Sequence, residues 1–258
     1  MSDVLVETKE GIATVTLNRP GSMNAMSRGL QRELFDAFRS LADDDSVDVV
    51  ILTGAGERAF SAGLDLKELS GQVDPDAERA GDAVVRGGDL VKAIEGFDRP
   101  VIGAINGFAI TGGFELALAC DVLIGSRNAK FADTHARVGV MPGWGLSQKL
   151  SRLIGISRAK ELSLTGNYLD AETACKWGLL NRVVEPEELL PVCEALARDM
   201  QSCDPDMVRK YKRVIDEGFA TTYREGREIE LAANRAHGNG VTPDRVENVQ
   251  QRGRSQSG

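Results

Sequence analysis

Several things are scarce in this chain of 258 residues, and each scarcity removes a class of function. Histidine occurs twice, at His135 and His237, and no H-E-x-x-H is present, so no metal site is expected. A serine hydrolase would have to recruit one of these two rings without a G-x-S-x-G turn; Phe60-Ser61-Ala62-Gly63 is not one. The four cysteines, Cys120, Cys175, Cys193 and Cys203, form no C-x-x-C pair and have no His at ligand spacing, which predicts reduced thiols in a cytoplasmic protein. Neither G-x-x-x-x-G-K-S/T nor a strand-flanked G-x-G-x-x-G occurs. Positive charge is also short: 31 Lys and Arg against 39 Asp and Glu leave a net charge of −8, which argues against a nucleic-acid partner. The longest weakly charged stretch, 101–120, is interrupted by Asn106 and Glu115, so no membrane span is expected. The first residues show neither a secretory nor a transit pattern.

What is present is a 42% hydrophobic, 27% charged composition, that of an ordinary globular domain. Val4-Leu5-Val6 and residues 12–17 flank Lys9-Glu10-Gly11 and predict a hairpin. Leu30, Leu34, Phe38 and Leu41 recur at helical spacing behind Ser27, a good N-cap. Residues 47–53, 101–105 and 122–124 read as buried strands, with loops after the first two and helices over 74–96 and 113–120. Beyond Pro142-Gly143 the pattern turns helical over 146–154, 157–164, 170–177, 186–201, 204–217, 221–235 and 242–252; only 181–184 reads as a strand. The expectation is an α/β protein of stacked β-β-α units, residues 1–195, continuing into a C-terminal helical region, residues 196–258.

Chemistry concentrates in Ile110-Thr111-Gly112-Gly113-Phe114-Glu115. Glu115 is the single ionisable carboxylate between Val101 and Cys120. Burial there would raise its pKa and make it a useful acid or base near neutrality. A glutamate that closes a helix turn with a satisfied hydrogen bond accounts for the same segment equally well. Gly112-Gly113 would expose backbone N–H groups without a Cβ to block a ligand, or would let a helix pack closely on a strand. The loop 59–67 is built of small residues and could oppose a second amide to the one at Gly112, giving a two-donor oxyanion hole.

These segments in order resemble the crotonase superfamily, the enoyl-CoA hydratase/isomerase family. The blocks are Leu17-Asn18-Arg19-Pro20 with Asn24-Ala25-Met26, Phe60 to Leu66, Gly107 to Ala117 with Cys120-Asp121, and Phe131 to Gly145. Together they span about residues 4–235. The resemblance implies a crotonase-like superhelix of β-β-α turns and C-terminal helices that trimerise, as a homotrimer or dimer of trimers. It implies an acyl-CoA thioester whose carbonyl sits between the amides of Ala62 and Gly112, with coenzyme A as part of the substrate and no separate cofactor. Ala25, Met26, Gly63, Leu64, Asp65, Lys67, Gly113 and Pro142 would line the substrate's path, Lys67 near a phosphate.

Family hydratases place two glutamates around the bound water. Glu115 matches the first; the second position here is His135, with Asp133 nearby. An imidazole can also exchange a proton with water or carbon. The expected activity is hydration of a 2-enoyl-CoA by Glu115 and His135; a double-bond isomerase and a non-catalytic acyl-CoA binder are the alternatives. The family's C-terminal aromatic is missing, and Arg252 and Arg254 retain only its charge.

Overall fold

The computed structural model describes residues 2–69, 87–238 and Val246. The chain opens with an antiparallel hairpin, β1 (Val4–Lys9) and β2 (Ile12–Leu17), whose two-residue turn places Glu10 and Gly11 at φ 51° and 78°. Both left-handed positions match the twist that tight hairpins need. In α1 (Arg28–Ala42) the Ser27 hydroxyl accepts from Leu30 N–H, and the expected stripe Leu30, Leu34, Phe38, Leu41 is buried. The α1 C-terminus is held by Arg99, a buried guanidinium that donates to the carbonyls of Ala42, Asp44 and Val47 and lies over Phe97.

From β3 (Val49–Gly54) onward the chain alternates between two sheets. β3, β5 (Val101–Ile105) and β7 (Val122–Ser126) add parallel strands to one sheet, closed by β10 (Arg182–Val184) in the order β1-β2-β3-β5-β7-β10. β4 (Ala59–Ser61), β6 (Phe108–Ile110) and β8 (Lys130–Ala132) build a second sheet, with β9 (Leu169–Asp170) antiparallel at its edge. Each pair is followed by helix: α2 (Leu66–Leu69) and α3 (Gly87–Glu95), then α4 (Gly112–Leu118), then α5 (His135–Val138). These are the β-β-α turns expected from the sequence. Two strands of the second sheet, β4 and β6, fall in segments that the sequence predicts as loops, Asp170 of β9 falls in the expected 170–177 helix, and the expected 74–96 helix lies largely outside the described residues. Asn106 ties the corners between sheets: its amide donates to the carbonyls of Gly56 and Ala59 and its oxygen accepts from Gly54 N–H.

Hydrophobic residues of β3 split between two cores. Val50 and Leu52 pack with α1 and with Phe60, Ala109 and Phe131 of the second sheet. Val49 and Ile51, one residue out of phase, join Ile12, Ile102 and Ile124 beneath Leu189, Cys193 and Ala197 of the later helix Leu189–Gln201. Burial holds the Cys193 thiol up at about 12, so it stays protonated. Before that helix come α6 (Leu146–Ile154), α7 (Ile156–Thr165) and α8 (Ala171–Trp177), which makes it α9. Cys193 and Ala197 are buried together under the sheet, so a boundary between residues 195 and 196 would cut α9. The compact units divide instead between Val208 and Arg209, within α10 (Pro205–Phe219).

In the C-terminal unit α11 (Tyr223–His237) follows α10, and the two come close at glycine: a Cβ on Gly226 would lie 3.3 Å from Gly218 Cα. Thr222 and Glu225 cap α11 reciprocally. The Thr221 and Thr222 hydroxyls hold the Glu225 carboxyl down at about 2. The expected helix over 242–252, apart from Val246, lies outside the described residues, as do Arg252 and Arg254.

Candidate active site

Three segments meet beside α4. The first is the turn after β4. Met26 N–H donates to Gly63 carbonyl at 2.8 Å, and Asp65 N–H donates to Met26 carbonyl at 3.2 Å. In extended backbone, N–H groups alternate sides, so Leu64, between these two, turns its N–H away from Met26. That direction is toward Gly112, where a Cβ would lie 3.6 Å from Leu64 N. Gly63 itself, at φ 90°, packs against the same spot, since a Cβ on it would stand 2.7 Å from Ile110 carbonyl and 3.2 Å from Gly112 N.

Gly112 opens α4, and its N–H belongs to the first turn, where no intrahelical acceptor exists. The residue before it is strained: Thr111 sits at φ 52°, ψ −111°, unusual for a β-branched side chain. Its hydroxyl pairs with the Thr134 hydroxyl and accepts from Thr134 N–H at 3.2 Å. Thus the turn that presents Gly112 is latched to the segment that carries His135.

Glu115, one helical turn after Gly112, is buried, and its Oε1 accepts Trp144 N–H at 2.9 Å. Burial pushes its carboxyl pKa up; the Trp144 amide, His135 and the Leu146 amide oppose that rise, while Asp133 adds to it. Its Oε2 lies 3.6 Å from His135 Nε2. On the other side of the ring, His135 Nδ1 is 2.7 Å from Asp133 Oδ1, which also accepts His135 backbone N–H at 3.2 Å. Asp133, His135 and Glu115 therefore form one buried chain of proton-bearing groups.

Not every expected residue takes its expected place. Ala62 is corrected: its N–H donates to Met23 carbonyl at 3.0 Å, so the amide facing Gly112 is that of Leu64, two residues on. Gly113 is corrected as well. A Cβ there would lie 2.1 Å from Ser61 carbonyl, so this glycine serves the packing of α4 on β4 rather than a ligand. Asp65 gives one oxygen to Arg19 at 3.0 Å and another to Lys67 N–H, which makes it a brace of the turn. Met26 does face Gly112, as does Trp144, which sequence reading missed; Met26 Cε and Trp144 Cζ3 would each lie 3.1 Å from a Cβ at Gly112. Ala25 is near-buried, with its carbonyl held by Arg19, Pro142 is half-buried, and Lys67 stands exposed on α2. Asp133 and Thr111 were passed over. The signal for Asp133 was its position two residues before His135, the spacing of a side chain that accepts from backbone ahead.

A chain of an acid and a base beside two converging amides defines a site for stabilising an enolate or oxyanion next to a moving proton. The comparisons agree with that class. A model of the enoyl-CoA hydratase/isomerase family matches residues 7–240, and the chain belongs to this family. It is 43% identical over 97% of its length to a protein of Arabidopsis thaliana called probable enoyl-CoA hydratase 1, peroxisomal, covering 93% of that protein. It is 37% identical to crotonyl-CoA hydratase of Syntrophomonas wolfei, over 90% of this chain and 88% of the relative. Among solved structures, enoyl-CoA hydratase from Bacillus anthracis superposes with a TM-score of 0.85 at 35% identity, covering 98% and 96% of the two chains. A monofunctional enoyl-CoA isomerase from M. smegmatis superposes with a TM-score of 0.74 at 37% identity, covering 88% and 98%. The fold is that of the crotonases, and the chain is an enzyme of the hydratase/isomerase class. Among the described residues no helix is long and apolar enough to cross a membrane.

Proposed function

We propose that this enzyme adds water across the double bond of a 2-enoyl-CoA, with Leu64 and Gly112 amides holding the thioester oxygen. The observation that carries the reading is the Glu115–His135 pair, 3.6 Å apart, one helical turn from Gly112. A water can hydrogen-bond both groups at once at ordinary lengths of about 2.8 Å. His135 Nε2 takes a proton from that water as its oxygen bonds to the β-carbon. The π electrons move to the thioester oxygen, where the two amides stabilise the enolate. Glu115, which burial favours in its protonated form, gives its proton to the α-carbon. The imidazolium then returns a proton to Glu115, and the cycle balances with water and thioester alone. Met26, Gly63, Ala25 and Pro142 are assigned to the walls of the path and Lys67 to a coenzyme A phosphate.

Loss of the conjugated absorbance of crotonyl-CoA tests the reading. Glu115→Gln and His135→Ala should each lower kcat by ~10²–10⁴-fold. Unchanged turnover in both overturns the mechanism. Isomerisation is the second reading, supported by the likeness to the M. smegmatis isomerase; a 3-enoyl-CoA substrate that gains conjugated absorbance reveals it. A chain that binds coenzyme A esters and turns over neither is the non-catalytic binder.

We assign a homotrimer, or a dimer of such trimers, as the family resemblance implies; α11 presents the exposed side chains of Tyr223 and Leu231. Sedimentation at the mass of one chain overturns that assignment. Free thiols at Cys120, Cys175, Cys193 and Cys203 support the reducing cytoplasm over an oxidising compartment, which cell fractionation checks.

A further inference from the structure

We infer that Asp133 is a positioning residue for His135, and that the two together take the place of the second carboxylate. This rests on the acid–base reading above, but it has its own readout. Asp133 Oδ1 lies 2.7 Å from His135 Nδ1, and both residues are buried. A carboxylate oxygen accepts and cannot donate, so the short contact fixes the proton on Nδ1. Nε2, the nitrogen facing Glu115, is then left with a lone pair in the neutral ring. That is the form a base toward water requires, and the one that the free ring, exchanging between tautomers, does not hold by itself. When Nε2 takes the water's proton, the Asp133 carboxylate stabilises the imidazolium that forms.

The same oxygen accepts His135 backbone N–H at 3.2 Å, which settles how a replacement would sit. In Asp133→Asn the backbone N–H keeps the amide oxygen, not the NH2, against the ring. The acceptor survives and the charge is lost. In Asp133→Leu, nearly the same shape, both are lost. A role in shaping the start of α5 alone would make the two variants differ in stability but not in the ring.

The experiment combines ¹⁵N NMR of the imidazole with kinetics on crotonyl-CoA. With two histidines in the chain, a His237→Asn background leaves the His135 signals alone. Wild type and Asp133→Asn should show the proton on Nδ1, and Asp133→Leu should show it moving to Nε2. In kinetics, Asp133→Leu should lower kcat about as far as His135→Ala at little change in KM, and Asp133→Asn by roughly tenfold. The double variant Asp133→Leu/His135→Ala should be no slower than His135→Ala alone, since residues that act as a unit do not add. An Nδ1 proton that persists in Asp133→Leu, or losses that multiply in the double variant, overturns the inference. If wild type fails to hydrate while the tautomer still follows residue 133, the positioning stands and the hydratase reading falls.

Discussion

Gly112 and Gly113 are adjacent, chemically identical, and constrained by different neighbours, so replacing each by alanine separates function from stability. At Gly112 an added Cβ would meet Met26 Cε and Trp144 Cζ3 at 3.1 Å, both ends of side chains that can give by a few tenths of an ångström. Alanine in a helix gains up to ~1 kcal/mol over glycine. The melting temperature of Gly112→Ala should therefore stay within about 4 °C of wild type. Its methyl carbon, however, would stand 3.6 Å from Leu64 N, on the side where a thioester oxygen must come within about 2.9 Å of the same nitrogen. A methyl there crowds the incoming oxygen, and loss of one such donor lowers kcat by ~10²–10³-fold. At Gly113 the added Cβ would lie 2.1 Å from Ser61 carbonyl and 2.8 Å from Ser61 C, backbone atoms of a buried strand. That strand must move by about an ångström, which costs ~1–3 kcal/mol or more. Gly113→Ala should melt at least several degrees lower. Differential scanning calorimetry and crotonyl-CoA turnover on both variants decide it. Full turnover in Gly112→Ala refutes the paired-amide site, and a wild-type melt in Gly113→Ala refutes the packing account.

Three further outcomes follow from single residues. Arg99→Met should lower the melting temperature by roughly 5 °C, because the buried Val47 carbonyl loses its donor at a cost of ~1–3 kcal/mol, while the carbonyls of exposed Ala42 and Asp44 can turn to water; a drop under about 2 °C would show that water replaces the guanidinium at Val47 too. Thr111→Val keeps the branched shape but gives up both contacts to Thr134, so it should destabilise by ~1–3 kcal/mol in chemical denaturation, while Thr111→Ser stays near wild type. For Glu115 the pKa is raised in the folded chain, so the native state binds more protons than the unfolded one above the carboxyl's ordinary value of 4.5. Wild type is thus most favoured below that value and loses stability as pH rises through the folded pKa. Glu115→Gln has no such slope, and its stability relative to wild type should grow over that window and then level off. Parallel curves from pH 4 to 8 would remove burial as the cause.

Long amphipathic elements were legible because periodicity had room to show: α1 and its Ser27 cap, the β1–β2 hairpin, and the buried run of β3 all fall where the sequence placed them. The second sheet was not. β4, β6 and β8 have three residues each, too short for a period of two to declare itself, and they sit among glycines and small side chains that also mark loops. The family blocks located both turns of the site, yet put the inward amide at Ala62 where the structure puts Leu64. Which amide faces inward depends on which carbonyls bond to Met26, a contact 37 or more residues away in sequence.

The most informative departure is the imidazole of His135 at the position where the family resemblance implies a second glutamate. A neutral ring alone would remove one negative charge from the site and leave its two nitrogens free to exchange roles. Asp133 contacts the ring at 2.7 Å, and on the inference above it supplies that charge two residues earlier in the chain. In that proposal the ring spans from Asp133, at 2.7 Å, to Glu115, at 3.6 Å. It also means that His135→Glu should leave three buried carboxyl groups, those of Asp133 and Glu115 and the new one, with no ring among them. Their mutual repulsion would raise one pKa further. Activity of His135→Glu should therefore recover only when Asp133 is also replaced by asparagine, and a fully active single variant would refute the exchange of one carboxylate for a carboxylate–imidazole pair.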